Sequence, residues 1–456
     1  MTPMTLTEVA AAVGGRLDGT DGSPTVTAAG LDSRGVTVGE LFVAFRGERV
    51  DGHDHAAAAV AAGAAGVLAE RPVGVPAVIV DHVTAALGRL ARAQLQRLPD
   101  LQVVGVTGSS GKTTTKDLLA VLLGDLGPTV SAQGSFNNDI GLPLTVLRCV
   151  ETTRHLVLEY GARGRGHITR LTEVAPPQVG VVLNVGTAHL GEFGRVEVTA
   201  AAKAELVART PVAVLNADDA LVREMASPGR RVLFGEGPGA DVLATDVRLD
   251  AGGRASFTLS AGGRDAPVSL RLVGAHLVSD ALAAAAVALH LGQPLPRVAL
   301  LLSAAEPASR WRMEVTERAD GVTVVNDAYN ANPDSARAAL QALVSMGRPT
   351  GRRTWAVLGE MLELGEAAGD QHDGLGRLAV RLDVSRIVSV GDPAGPVGRL
   401  HAGATLEGSW GEEAVHVPDV DAALALLRAE LRPGDIVLVK GSRAAGLERV
   451  AEGLLA

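Results

Sequence analysis

The stretch Leu101-Gln102-Val103-Val104-Gly105-Val106-Thr107-Gly108-Ser109-Ser110-Gly111-Lys112-Thr113-Thr114 decides how the chain is read. Leu101 to Val106 is mostly apolar and predicts a buried strand. A Gly/Ser loop follows, and a helix is expected from Lys112. In that context backbone N–H groups and a helix N-terminus can cradle phosphate oxygens. Lys112 neutralises phosphate charge, and Thr113 can ligate Mg2+. Val106 stands five residues before Gly111, so the motif is the shorter G-x-x-G-K-T form. The plain alternative is a Gly/Ser-rich turn.

Working outward, apolar runs recur at His155-Leu156-Val157-Leu158-Glu159, at Val179 to Asn184 and at Pro211 to Asn216. Near-continuous apolar strands separated by helical stretches imply a parallel sheet covered on both faces. Such sheets hold ligands at the C-terminal ends of their strands. Thr107, Glu159 and Asn184 stand there. Residues 240–272 read as antiparallel strands, followed by a helix over Ser279 to Leu291. Upstream, Thr5-Leu6-Thr7-Glu8 opens a short helix as a capping box. Glu40 to Phe45 and Gly66 to Ala69 read as strands around an Ala-rich helix. Downstream, Val322 to Val325, Thr354 to Leu358, Arg386 to Val390 and Asp435 to Val439 alternate with helices.

The expected fold class is α/β in three domains. A small α/β N-terminal domain spans 1–99, a central P-loop parallel-sheet domain 100–312, and a C-terminal Rossmann-like α/β domain 313–456. The length of 456 residues fits three domains. Hydrophobic residues are 47% of the chain and aromatics 2%, so the cores must be aliphatic. No block of like charge accompanies the net charge of −9, so no nucleic-acid surface is expected. Cys149 is the single cysteine, which suits a reducing compartment. No signal peptide is read, and the apolar run Ala56 to Ala69 is shorter than the ~20 residues of a membrane span. A soluble cytoplasmic monomer is expected.

Lysine occurs only at Lys112, Lys116, Lys203 and Lys440, while Arg carries nearly all other positive charge. The two are not interchangeable where an amine is needed. Lys203, in an Ala-rich helix, is either a solvated charge or a buried amine able to take up CO2 as a carbamate that ligates Mg2+. Glu159 either holds Mg2+ or caps and salt-bridges locally. His189 is either structural or a ligand. Arg312 can reach a γ-phosphate as a fork donor, and Asp327 can accept from ribose hydroxyls. All seven asparagines fall at positions 137, 138, 184, 216, 326, 330 and 332, close to these motifs, although Asn also suits turns.

Together these residues resemble the Mur ligases of peptidoglycan synthesis over essentially the full length. The matching stretches include Asp32-Ser33-Arg34, Asp51-Gly52-His53, Thr107 to Thr114, Ser135 to Asn138, Asn184 to His189, Ala202-Lys203, Arg312, Asp327 to Pro333, Gly359 to Gly365 and Lys440 to Arg443. The segments Tyr329 to Pro333 and Gly359 to Gly365 match the member that adds D-alanyl-D-alanine. The resemblance implies an ATP-dependent ligase that couples a carboxylate to an amine through an acyl phosphate. Its expected substrates are UDP-N-acetylmuramoyl-tripeptide and D-alanyl-D-alanine, with ATP and two Mg2+ ions.

By position, the resemblance implies catalytic roles for Lys112, Glu159, His189, Lys203 and Arg312. Gly108, Ser109, Ser110, Gly111, Lys112, Thr113, Thr114, Asn138, Asp280, Arg312 and Asp327 are expected around ATP. Ser33, Arg34, Asn330, Asn332, Lys440 and Ser442 are expected at the substrates, and Thr113, Glu159, His189 and Lys203 at the metal. The chain departs from the family at His276-Leu277-Val278-Ser279-Asp280, where His-Asn-x-x-Asn is usual. A carboxylate at Asp280 accepts but does not donate, which alters base recognition. The competing expectations are another amino acid ligase of this family, a folylpolyglutamate synthase-like enzyme, a non-ligating P-loop ATPase, and an interaction protein of ligase ancestry.

Overall fold

A computed structural model describes residues 1–47, 50–186, 195–408 and 413–456. The expectation for His189 falls outside these described residues.

The loop strand forms at Gln102–Thr107 and its helix at Lys112–Leu126. The strand lies inside a nine-stranded sheet, between His155–Glu159 and Val179–Val182, and is parallel to both. Val212–Asn216, Arg230–Gly235 and Val242–Leu249 extend the parallel part, and Arg254–Ala261 and Arg264–Val273 complete the sheet through antiparallel pairings, so of the expected antiparallel stretch only the last two pairings are antiparallel. Aliphatic side chains cover one face: Leu118, Leu119, Leu122 and Leu123 of the loop helix pack with the Ala-rich helix Leu277–His290.

Within the central sheet, two strands escaped the sequence reading; short strands of the outer two sheets, such as Arg16–Asp18, Ala77–Ile79 and Ala414–Val417, escaped it as well. Thr129–Ser131 is a half-buried edge, and Arg230–Gly235 opens with two exposed arginines, so neither presents an apolar run. One central strand ends earlier than expected. Val179–Val182 stops before Asn184, whose side chain is drawn into the phosphate loop.

At the N-terminus the capping box forms: Thr5 caps Leu6–Val13 and the Glu8 carboxylate returns to the Thr5 N–H. Gly66–Ala69 and Glu40–Val43 pair in parallel within a five-stranded sheet. The C-terminal sheet has six strands in the order Glu314–Glu317, Thr323–Asn326, Ile436–Lys440, Thr354–Leu358, Arg386–Val390 and Ala414–Val417. Only the first of these is antiparallel, and apolar clusters cover both faces. The fold is the expected three-domain α/β arrangement. Among the described residues, no helix is long and apolar enough to cross a membrane.

Candidate active site

The central strands end together, and their ends build one wall of a cleft of about 310 Å³. The phosphate loop forms the floor. Two of its glycines are required by space. A Cβ on Gly108 would come within 2.9 Å of the Leu183 Cβ, and one on Gly111, at φ +81°, within 2.2 Å of Asp280 Oδ1. Asn184 holds the loop open: its Oδ1 accepts from Ser109 N at 2.9 Å and Ser110 N at 3.0 Å. The helix N-terminus of Lys112–Leu126 thus faces the cleft, and its partial positive charge favours an anion there.

Lys112 Nζ donates to Gly108 O at 2.6 Å. Burial lowers its pKa, Glu159 and Glu363 oppose that shift, and Arg312 adds to it. Glu159 closes its strand fully buried. Its Oε2 accepts weakly from Asn137 Nδ2 at 3.5 Å, and its Oε1 has no hydrogen-bond partner. A buried carboxylate oxygen without a partner is costly and wants a cation or donor.

Lys203, on Val196–Ala204, is 3% exposed and lines the cleft. Burial, followed by repulsion from Lys112, drives its pKa well below the ordinary range and so favours the neutral amine.

The opposite wall comes from the C-terminal domain. Trp311 and Met313 adopt left-handed φ of 58° and 48°, and Arg312 between them projects into the cleft. Its Nη2 donates to Thr113 Oγ1 and Ser135 Oγ, each at 3.1 Å, while its guanidinium lies 4.3 Å over the Tyr329 ring. Arg312 Nε is buried with no partner, a donor left for a ligand.

Several expected residues meet here: Gly108 to Thr114, Asn138, Glu159, Lys203, Asp280, Arg312, Asp327, Asn330, Asn332 and Lys440 all line the cleft. Their engagements differ from the expectation in places. Asp327, expected at a ribose, accepts Lys440 Nζ at 2.5 Å and Met313 N at 3.1 Å, one donor on each oxygen, and keeps lone pairs for a further hydroxyl. Asn138 Oδ1 caps the turn by accepting from Ile140 and Gly141 N. Asn332 caps Pro333–Gly347 and donates to Ser109 O at 3.4 Å.

Asp280 packs against Gly111, deep beside the loop. Burial pushes its carboxyl up to about 8, against the pull of Thr115 and Arg312, so it carries a proton at neutral pH. A protonated carboxyl can donate as the family's Asn amide does, which corrects the expectation of an acceptor only. His276, nearby in the lining, is lowered to about 4 by burial and stays neutral.

Three expected substrate residues are not in the cleft. Ser442 sits behind its wall, where it accepts from Leu362 N and donates to Ala331 O. Ser33 and Arg34 lie on the N-terminal domain, outside the cleft lining. Arg34 there forks onto Asp32 with an 88% exposed side chain.

The sequence reading gave no role to Ser135, Tyr329 or Lys116. Tyr329 is one of only two tyrosines, a scarcity that could have drawn attention. Lys116 Nζ holds Ala132 O at 2.9 Å and Gly134 O at 3.4 Å, tying the segment that carries Ser135 to the loop helix.

The comparisons with known proteins agree along the chain. Residues 25–109 match the Mur ligase family catalytic domain, 106–288 the Mur ligase middle domain, and 311–443 the Mur ligase glutamate ligase domain. The UDP-N-acetylmuramoyl-tripeptide–D-alanyl-D-alanine ligase of Mycobacterium bovis is 51% identical, covering 100% of this chain and 98% of that protein. The ligase of the same name from Escherichia coli is 35% identical, over 100% and 99%. Among solved structures, MurF from Acinetobacter baumannii superposes with a TM-score of 0.88 at 32% identity, covering 100% of this chain and 99% of that one. MurF from Thermotoga maritima in complex with ADP gives 0.80 at 31%, covering 94% and 97%. A phosphate loop faced by Arg312 from a second domain, in a chain matched from end to end in this way, belongs to the Mur ligase family.

Proposed function

We propose that the chain joins D-alanyl-D-alanine to UDP-N-acetylmuramoyl-tripeptide at the expense of ATP, in the cytoplasmic synthesis of peptidoglycan precursors. The observation that carries this reading is the contact of Arg312 with Thr113 across the cleft, which brings a C-terminal cation to the γ-phosphate end of the loop. We take the domain limits to fall near residues 99 and 312, and the enzyme to act as a monomer.

The tripeptide carboxylate attacks the γ-phosphorus of ATP. An O–P bond forms, the bond to the β-phosphate oxygen breaks, and ADP leaves an acyl phosphate. The dipeptide ammonium group gives up a proton, its nitrogen attacks the acyl carbon, a C–N bond forms, the acyl C–O bond breaks, and phosphate departs while the new amide nitrogen loses its second proton. Lys112, the amides at Gly111 to Thr113 and Arg312 stabilise the charge on the transferred group, so catalysis is mainly positioning and electrostatics.

The donor set suits Mg2+. Among the described residues no three His, Cys, Asp or Glu side chains cluster around one point. Mg2+ commonly takes one or two carboxylates and completes its shell with phosphate oxygens and water. Thr113 and the unpartnered Glu159 Oε1 would hold it, and when bound it would neutralise phosphate charge. The unprotonated Lys203 amine would add to CO2 with loss of a proton, and the anionic carbamate so formed would serve with His189 as the second metal donor. A carbamate carbon resonance from labelled bicarbonate, absent in Lys203→Ala, tests that step.

The assay for the whole reading is phosphate release with ATP and UDP-N-acetylmuramoyl-tripeptide. Release is expected only when D-alanyl-D-alanine is present, and single amino acids should not replace it. Release without any acceptor would instead support a plain P-loop ATPase.

A further inference from the structure

The cleft must admit a second substrate from solvent, and that substrate enters as an ammonium ion, because a free aliphatic amine is protonated near neutral pH. We propose that Glu363 is the anchor for the ammonium group of the incoming amine, an assignment that rests on the ligase reading above.

Two carboxylates act on the charge of Lys112, namely Glu159 and Glu363. They stand in different settings. Glu159 is fully buried at the end of a central strand, and its unpartnered oxygen suits a cation of the nucleotide site. Glu363 is exposed, lines the cleft, and belongs to the C-terminal wall opposite the phosphate loop. An ammonium group held there shares the cleft with the phosphate loop and must give up a proton before its nitrogen attacks the acyl carbon.

The backbone singles out the same residue. Glu363 adopts φ +64°, a left-handed conformation that side-chain-bearing residues seldom take. Strain of this kind persists only where the surroundings impose it, and it concentrates at ligand clamps.

The surroundings are on both sides of it. Met361 and Leu364 are buried at 1% and 2% exposure and anchor the turn. Met361 N donates to His372 Nε2 at 2.9 Å, and Leu362 N to Ser442 Oγ at 2.9 Å. Ser442 N in turn donates to Glu360 O at 2.9 Å. His372 can accept because its Nδ1 meets Ala368 O at 2.7 Å, which places the ring proton there, and burial lowers its pKa and keeps it neutral. Ser442 thus serves the site from behind: it fixes the turn that presents Glu363.

The test compares wild type with Glu363→Gln and Glu363→Asp, using two nucleophiles. D-alanyl-D-alanine carries the ammonium charge. Hydroxylamine is largely uncharged near neutral pH and traps an acyl phosphate as a hydroxamate.

The expected result for Glu363→Gln is a KM for the dipeptide raised about ten- to hundredfold, the span of a lost charge-assisted hydrogen bond. Hydroxamate formation should stay within about threefold of wild type, and Glu363→Asp should fall between the two. An unchanged KM for the dipeptide would overturn the assignment. So would an equal loss with both nucleophiles, which would place Glu363 on the phosphate side of the reaction. If wild type formed no hydroxamate, the acyl-phosphate step would fail, while the KM comparison would still decide Glu363.

Discussion

The two joints between the domains are built from different chemistry. At the first, the helix Val83–Gln96 packs Leu87, Leu90 and Ala91 against Leu142, Leu144 and Leu147, all within one apolar cluster that runs from the N-terminal sheet into the central domain. Gln94 is sealed into it, donating to Thr2 Oγ1 at 3.1 Å and Cys149 O at 2.9 Å. At the second joint, the apolar contact is a small group around Val273, Met313 and Met346. The rest is polar: Arg312 on Thr113 and Ser135, and Asn332 on Ser109 O.

Apolar burial is undirected and is lost only by exposing area to water, so the first joint holds its geometry. The second joint binds through the same atoms that ATP needs. Thr113 and Arg312 exchange each other for phosphate at little net cost, because one charge-assisted bond replaces another. A joint of that kind can close on substrate and reopen, which is how such enzymes keep water from a reactive intermediate.

The largest effect that would break this contrast is at the polar joint. Arg312→Ala should lower kcat by roughly 10²–10³-fold, as for loss of a preorganised cationic donor, with the thermal midpoint nearly unchanged. A variant that unfolds instead would make Arg312 a structural strut and erase the distinction.

Next comes the apolar joint. Leu90 is fully buried, and Leu90→Ala should cost about 2–5 kcal/mol in chemical denaturation. Its kcat should be retained at temperatures where the variant is folded. Loss of kcat without loss of stability would mean that the first joint also moves in turnover.

The smallest effect sharpens the polar side. Asp280 titrates at about 8 in the fold, against an ordinary value of 3.8. The folded chain therefore holds a proton that the unfolded chain gives up, and stability falls as pH rises through that window, then levels above about 8. Asp280→Asn removes the dependence. The variant should match wild type near pH 4 and gain on it as pH rises toward 8, with a slope of at most about 1.4 kcal/mol per pH unit, the worth of one tenfold change in proton affinity. Parallel midpoint-against-pH curves for the two proteins would refute the protonated carboxyl.

Much of the site was legible because its signals are local. The loop needs glycines at Gly108 and Gly111 whatever surrounds it, and Glu159 and Asn184 stand at strand ends that the apolar runs already mark. The scarcity of lysine pointed to Lys112, Lys203 and Lys440, each of which lines the cleft. It also included Lys116, whose role as a tether has no local signature, since its carbonyl partners lie 16 and 18 residues away. Ser442 shows what local signals omit: it follows the cleft residue Lys440 by two positions, yet its hydroxyl is committed to Leu362 N and Ala331 O, in segments that meet it only in the fold.

What the sequence determined by itself was the main apolar strands, the phosphate loop and the family. These follow from side-chain periodicity and backbone demands that act over a few residues. What only the tertiary structure decided was pairing and exposure. Asp327 turned out to be engaged by Lys440, 113 positions away, Asp280 to keep its proton, and Glu363 to stand accessible in a strained turn. Charge state and hydrogen-bond commitment depend on which groups are excluded from water together, and distant segments settle that only when they pack.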